Sequence, residues 1–265
     1  MPDEQPGAPR GLRTRLRVAV KAPLVAATVG GLYATWRALR PPARLVGADA
    51  RLRGLMFTAW ARASARILGI RVRAEGAPPA GPCLLVANHL SYLDIAVLQA
   101  RHDCTFVSMA DVQAWPVMGR IARELGTVFV DRERRQDAAR AAREIEAALR
   151  AGRTVVLFPE GRAGDGREVR PFRSALLDPA ARLGAPVAWA ALRYETPPGE
   201  PPAADVVCWT DDASFGAHLL RLMRVRRIEA RIAYGGEVIR DDDRKRLARR
   251  LEDAVRARLP SVPTG

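Results

Sequence analysis

Residues 83–94 read CLLVANHLSYLD. The unbroken apolar run Cys83 to Ala87 predicts a strand buried on both faces. Ser91 followed three residues later by Asp94 is a variant capping signal, and it predicts a helix running through Ile95, Val97 and Leu98. Asn88 and His89 then occupy the turn between strand and helix. In an open α/β sheet, ligands bind at that carboxyl edge. On a continuous helix, positions five apart diverge by about 140°. With His89 in the turn and Asp94 in the first helical turn, the two side chains can face each other. A carboxylate holding Nδ1–H fixes the imidazole tautomer and leaves Nε2 to take a proton from a hydroxyl. Taken singly, each residue has a plainer role, His89 as a turn histidine and Asp94 as a helix cap.

The same alternation continues beyond Ala74. Candidate strands are CLLVA (83–87), TFVSM (105–109), TVFVD (127–131), TVVLFP (154–159), PVAWAAL (186–192), DVVCW (205–209) and IEARIAY (228–234). Between them, Ala138, Ala142, Ile145 and Leu149 share one face of a helix that Gly152 stops. A last helix carries Leu247, Leu251, Val255 and Leu259. The expected fold class is α/β, a largely parallel sheet covered by helices, spanning residues 75–265.

The N-terminal part has another character. Residues 1–10 are Pro-rich and polar and are expected to form a loose tail. Residues 11–74 are expected to be a membrane-associated helical segment. Arg13, Arg15 and Arg17 precede a stretch, Ala22 to Trp36, without a charge. That stretch is shorter than the ~20 residues a spanning helix needs, and it contains Pro23, Gly30 and Gly31. An embedded or interfacial helix is therefore favoured over a single span. In a second segment, Leu52, Leu55, Met56, Ala59, Trp60, Ala63 and Ile67 fall on one helical face, suited either to a bilayer interface or to packing on the domain.

The chain has 43 basic against 29 acidic residues, a net charge of +14, and only two lysines, Lys21 and Lys245. Such a balance fits an anionic membrane face or nucleic acid. Aromatics are 6% of the chain, and no basic run interleaves with them, so a nucleic-acid partner is set aside. Cys83, Cys104 and Cys208 are scattered through apolar contexts, as buried thiols would be. His89, His102 and His218 lie far apart, and no metal site is expected.

The residues also carry a family resemblance. NHLSYLD (88–94) resembles the NHxxxxD signature of the glycerolipid acyltransferases, the 1-acylglycerol-3-phosphate acyltransferase (PlsC-like) family. GTVFVDR (126–132), FPEG (158–161) and APVAWAAL (185–192) are similar to its second, third and fourth blocks, in the same order. The resemblance implies that His89 is the general base and Asp94 its orienting carboxylate, with Asn88 and Ser91 in support. From the second block it implies that Gly126, Phe129 and Arg132 serve substrate binding, the Arg132 guanidinium suiting a phosphate or carboxylate. From the third it implies Glu160 and Gly161, Glu160 bonding acceptor hydroxyls or an ammonium, or holding the loop. Phosphate-using members read FPEGTR there, whereas this chain reads FPEGRAGDG, with Arg162 at the threonine position and Ala163 at the arginine position, which leaves Arg162 as the substitute candidate for substrate binding. The EGxxxDG pattern before PFRSALL (171–177) is similar to the lyso-ornithine lipid acyltransferase branch, whose acceptor has a zwitterionic head and no phosphate.

The implied activity is O-acyl transfer from acyl carrier protein or coenzyme A to the free hydroxyl of a lysolipid, either lyso-ornithine lipid or 1-acylglycerol 3-phosphate. It implies no covalent acyl-enzyme and no cofactor beyond the thioester co-substrate, with attachment at the cytoplasmic face of the inner membrane. No serine lies in a GxSxG elbow. Two alternatives remain: a lipid ester or thioester hydrolase, with water as acceptor, and a non-catalytic membrane-binding module.

Overall fold

The computed structural model describes residues 10–115, 118–131, 134–210 and 213–259, so the N-terminal tail read from the sequence lies, but for its last residue, outside the described residues. In chain order the elements are α1 (Arg10–Leu45), α2 (Asp49–Leu68), β1 (Ile70–Glu75), β2 (Leu84–Ala87), α3 (Leu93–Gln99), β3 (Thr105–Met109), α4 (Met118–Glu124), β4 (Val128–Val130), α5 (Arg135–Arg150), β5 (Val155–Leu157), α6 (Asp178–Arg182), β6 (Val187–Glu195), α7 (Ala203–Val206), α8 (Phe215–Arg224), β7 (Ile228–Tyr234) and α9 (Arg244–Arg258). The strands form one seven-stranded sheet ordered β1-β7-β6-β2-β5-β3-β4. β6, β2, β5, β3 and β4 are mutually parallel, whereas β7 runs antiparallel to β6 and pairs with β1 in parallel.

Side chains alternate across a strand, so β2 sends Leu85 and Ala87 to one face and Leu84 and Val86 to the other. The first face packs on α2, α3 and α8 through Phe57, Leu68, Val97, Leu98 and Leu222. The second packs on α5, α6 and α9 through Ala141, Ile145, Ala180, Leu247 and Leu251. Both faces are covered, as short continuous apolar strands require.

Three elements differ from expectation. First, the sheet begins at Ile70, not after Ala74. IRVRAE alternates apolar with charged residues, and its burial alternates likewise, as in an edge strand half open to solvent. Second, DVVCW (205–209) is no strand. Ala203–Val206 makes a helical turn, with the amides of Val207 and Cys208 bonded back to the Ala203 carbonyl. Val206, Val207 and Cys208 are buried because they pack on the core, not because they pair with a neighbour. Third, α2 buries Gly54, Phe57, Ala61, Ala65 and Leu68, whereas Leu55 of the predicted stripe is exposed. Small residues decide this. Ala61 meets Ala96 and Ala100 of the α3 region, and a Cβ on Gly54 would lie 2.4 Å from the Asp103 carboxylate. Arg53 is buried on that face because its guanidinium donates to the Leu125 carbonyl at 2.7 Å.

α1 runs unbroken for 36 residues, through Pro23 as well as Pro41 and Pro42. An interior proline costs a helix about 3 kcal/mol, so the helix needs tertiary support. Lys21 Nζ donates to the carbonyls of Leu68 (2.8 Å) and Val225 (2.7 Å), at the ends of α2 and α8. Arg17 donates to the Arg224 carbonyl. Farther along, Tyr33 and Trp36 donate to the Glu124 carboxylate of α4 at 3.1 and 3.0 Å. α1 is thus tied at both ends along the domain. Its exposed positions between Ala19 and Thr35 are all uncharged, and by length and composition alone it is apolar enough to cross a membrane.

Candidate active site

β2 stops at Ala87, but its neighbour β6 continues to Glu195. Asn88 resolves the mismatch. Its side-chain amide donates to the Leu192 carbonyl (3.0 Å) and accepts from the Leu192 amide (2.7 Å), imitating one more residue of strand. The chain then turns. Asp94, in the first turn of α3, is wholly buried and accepts four hydrogen bonds. Oδ2 accepts from His89 Nδ1 (2.8 Å), Leu90 N (2.7 Å) and Ser91 N (3.0 Å), and Oδ1 accepts from the Tyr194 hydroxyl (2.7 Å). The carboxylate, not the serine, therefore caps the turn. Ser91 is buried, and its hydroxyl has no hydrogen-bond partner among the described residues.

Because a carboxylate only accepts, Nδ1 of His89 carries its hydrogen. Nε2 is the nitrogen left for chemistry, and it has no partner among the described residues. The His89 side chain is 22% exposed against 0% for Asp94. Its ring stacks on Phe158, with centroids 4.4 Å apart. A second loop grips the backbone of the same residue. Glu160 Oε1 accepts from His89 N (2.7 Å), and Gly164 N donates to the His89 carbonyl (2.8 Å). Glu160 Oε2 accepts from Arg170 N (3.0 Å), so one carboxylate spans the two loops. The Phe158–Gly161 turn that presents it closes with Gly161 N on the Phe158 carbonyl, and Gly161 has φ +87°, a conformation that favours glycine.

Glu160 is 4% exposed, and burial pushes its carboxyl from the usual 4.5 up to about 7, against the pull of the two amides and of His89. The unfolded carboxyl titrates lower, so between these pH values the folded chain holds more protons than the unfolded one. The contribution is present in full below the lower value and is lost as pH rises through the upper. Glu160→Gln has no such titration. From pH 5 to pH 8 the wild type is expected to lose on the order of 2 kcal/mol relative to that variant, read as the difference in thermal midpoint. A pH-independent difference would mean that the Glu160 carboxyl titrates alike in both states.

The other site residues named from the sequence scatter. Gly126 ends α4 with φ +79°, ahead of β4 and so at the opposite end of that strand from its carboxyl edge. Phe129 is buried in the middle of β4, and Arg132 lies outside the described residues. Arg162 is exposed two residues past Glu160 and makes no hydrogen bond or ion pair among the described residues. Two participants escaped the sequence reading, Phe158 and Tyr194. Phe158 sits inside the quoted FPEG block. Tyr194 stands two residues beyond the predicted strand, on the same face as Leu192.

The surroundings are apolar and aromatic. Tyr92, Trp115, Trp209 and Phe215 are half-buried and in mutual contact beside the His89 turn, and the Tyr92 hydroxyl lies 3.0 Å from His218 Nδ1. Cys208 is free and buried, with its thiol pushed up to about 12 mainly by burial, so it stays protonated and is a poor nucleophile. No cluster of three or more metal-ligating side chains occurs among the described residues.

Comparison with known proteins finds relatives among acyltransferases. A family model described as Acyltransferase matches residues 69–192. The chain is 36% identical to a lyso-ornithine lipid O-acyltransferase of Pseudomonas aeruginosa, over 94% of both chains. It is 37% identical to the lyso-ornithine lipid O-acyltransferase of Brucella abortus, over 77% of this chain and 81% of that one. The fold matches the crystal structure of the 1-acyl-sn-glycerophosphate acyltransferase PlsC from Thermotoga maritima with a TM-score of 0.66 at 18% identity, covering 93% of this chain and 96% of that one.

Proposed function

The chain belongs to the acyltransferase family, and on that premise we propose that it transfers a fatty acyl group from a thioester to the free hydroxyl of lyso-ornithine lipid. The observation that carries the reading is the His89–Asp94 pair at the carboxyl edge of β2, with Nδ1 engaged and Nε2 not. The acceptor hydroxyl gives its proton to Nε2 as its oxygen attacks the thioester carbonyl. The carbon–oxygen bond forms, the carbon–sulfur bond breaks, and the imidazolium proton returns to the departing thiolate. Asp94 stabilises the imidazolium between these steps. The thioester is carried by acyl carrier protein or coenzyme A, and the net charge of +14 suits an acidic carrier.

The acceptor assignment is supported by the third block and by the two lyso-ornithine lipid relatives. Ala163 offers no phosphate contact, and the exposed Arg162 guanidinium is free to meet a carboxylate. For the membrane, an interfacial attachment suits α1 better than a span. A helix tied along the domain from Arg17 to Trp36 would have to break those bonds to stand across a bilayer, whereas its uncharged outward strip can lie in the interface as it is. The aromatic group beside the His89 turn suits an acyl chain entering from the same surface.

An acceptor panel tests the assignment. With one acyl donor, lyso-ornithine lipid is expected to be acylated at least about tenfold faster than 1-acylglycerol 3-phosphate, a difference of one charged contact. Phosphatidic acid as the main product would reassign the acceptor. Free fatty acid as the main product with either acceptor present would make the enzyme a hydrolase.

A further inference from the structure

Tyr194 belongs to none of the sequence blocks and lies two residues past the stretch that the family model matches. It is nevertheless the residue that closes the hydrogen-bond shell of Asp94. Three of the four donors to that carboxylate, His89 Nδ1, Leu90 N and Ser91 N, converge on Oδ2 from the turn itself. Those three leave the other oxygen, Oδ1, without a donor in a closed site, where an unpaired charged acceptor is costly. Among the described residues, Tyr194 supplies the one hydrogen bond to Asp94 from outside the turn, its hydroxyl on Oδ1 at 2.7 Å.

How the hydroxyl comes to be there follows from strand register. The two bonds between Asn88 and the Leu192 backbone lock β6 against the end of β2. A residue two positions on along a strand points to the same face, and Tyr194 accordingly lies on the face of Ala190 and Leu192, over the start of α3. Both Asp94 and the tyrosine are closed off from solvent, at 0% and 7% exposed. Burial and the Asp94 charge together hold the phenol well above its usual range, so it stays a donor at any working pH.

We propose that Tyr194 is a positioning residue of the acyl transfer, fixing the Asp94 carboxylate so that its Oδ2 holds His89 Nδ1 in the tautomer and orientation that the reaction uses. Tyr194 does not touch substrate. It acts through Asp94, and Asn88 acts through Tyr194 by setting its register. This rests on the reading of His89 as the base.

Tyr194→Phe keeps the ring and removes only the hydroxyl. The expected result is a fall in kcat on the order of tenfold, the scale of one hydrogen bond to a charged group, with KM for donor and acceptor unchanged within about twofold. A kcat equal to wild type, or a loss confined to KM, overturns the proposal. A kcat cycle, scored per folded protein, covers the case in which the variant folds poorly. Tyr194→Phe is measured alone and in an Asp94→Asn background, whose carboxamide NH2 can donate to the tyrosine oxygen but carries no charge. If the hydroxyl acts through the Asp94 carboxylate, its removal lowers kcat about tenfold in the first and by less than about twofold in the second. An equal loss of kcat in both shows that Tyr194 does not act through Asp94 and overturns the proposal. Failure of the base reading is separate, because it appears as activity retained in His89→Ala, whatever Tyr194 does.

Discussion

His89→Ala is expected to lower acyl transfer by about 10²–10⁴-fold, the range over which a positioned general base contributes, while the protein stays folded. The chemistry needs a proton acceptor at the attacking hydroxyl, and Nε2 of His89 is the ring nitrogen that Asp94 does not engage. The fold does not need the ring in the same way. The side chain is partly exposed, and what alanine loses is one stack on Phe158 and one donor to Asp94. The backbone bonds of residue 89 to Glu160 and Gly164 involve no side-chain atom of the histidine and survive. Single-turnover transfer from a labelled thioester measures the loss, and the thermal midpoint, expected within a few degrees of wild type, checks the fold. Near-normal turnover in a folded His89→Ala would remove the imidazole from the mechanism.

The pairing of His89 with Asp94 was legible because it is local. Six residues of one turn carry it, and a strand run followed by a capping acid fixes where those six residues sit. The sheet class was legible for a similar reason, since runs such as VVL in β5 suit only strands covered on both faces. What escaped the sequence is non-local. Tyr194 is 100 residues from Asp94, and no spacing rule links them. Only the register that Asn88 imposes on β6 brings them together. β1 was missed because its alternation of isoleucine, valine and alanine with arginine and glutamate looks like the tail of the preceding arginine-rich helix. DVVCW misled in the opposite sense. A short apolar run shows burial and not pairing, and prolines 201 and 202 set up a helical turn there instead. On α2 the larger apolar side chains mark a stripe suited to a bilayer interface or to the domain, but close approach to α3 selects glycine and alanine for the packed face. The resemblance implies two kinds of role for Glu160, on the acceptor or in the loop. Its bonds to the amides of His89 and Arg170 are of the second kind.

Asp94 separates catalysis from folding when two substitutions are compared. Asp94→Asn preserves shape. Its carboxamide oxygen can still accept from the amides of Leu90 and Ser91 and from His89, and its NH2 can donate to the Tyr194 oxygen, so the buried shell remains partnered. The charge is gone, however, and an imidazolium formed at His89 has no counter-ion behind it. The expected outcome is a folded protein with transfer reduced by about 10²–10⁴-fold. Asp94→Ala removes the acceptor altogether. Two backbone N–H groups and a phenol then lie in a closed site without partners, each at a cost of about 1–3 kcal/mol. Their sum is a large part of the roughly 5–15 kcal/mol that holds a domain together. That variant is expected to lose many degrees of thermal midpoint, or to accumulate as insoluble protein. A stable Asp94→Ala would mean that the turn around His89 does not depend on the carboxylate. A fully active Asp94→Asn would mean that orientation without charge is enough, because the two variants differ in whether the donors stay satisfied and share only the loss of the negative charge.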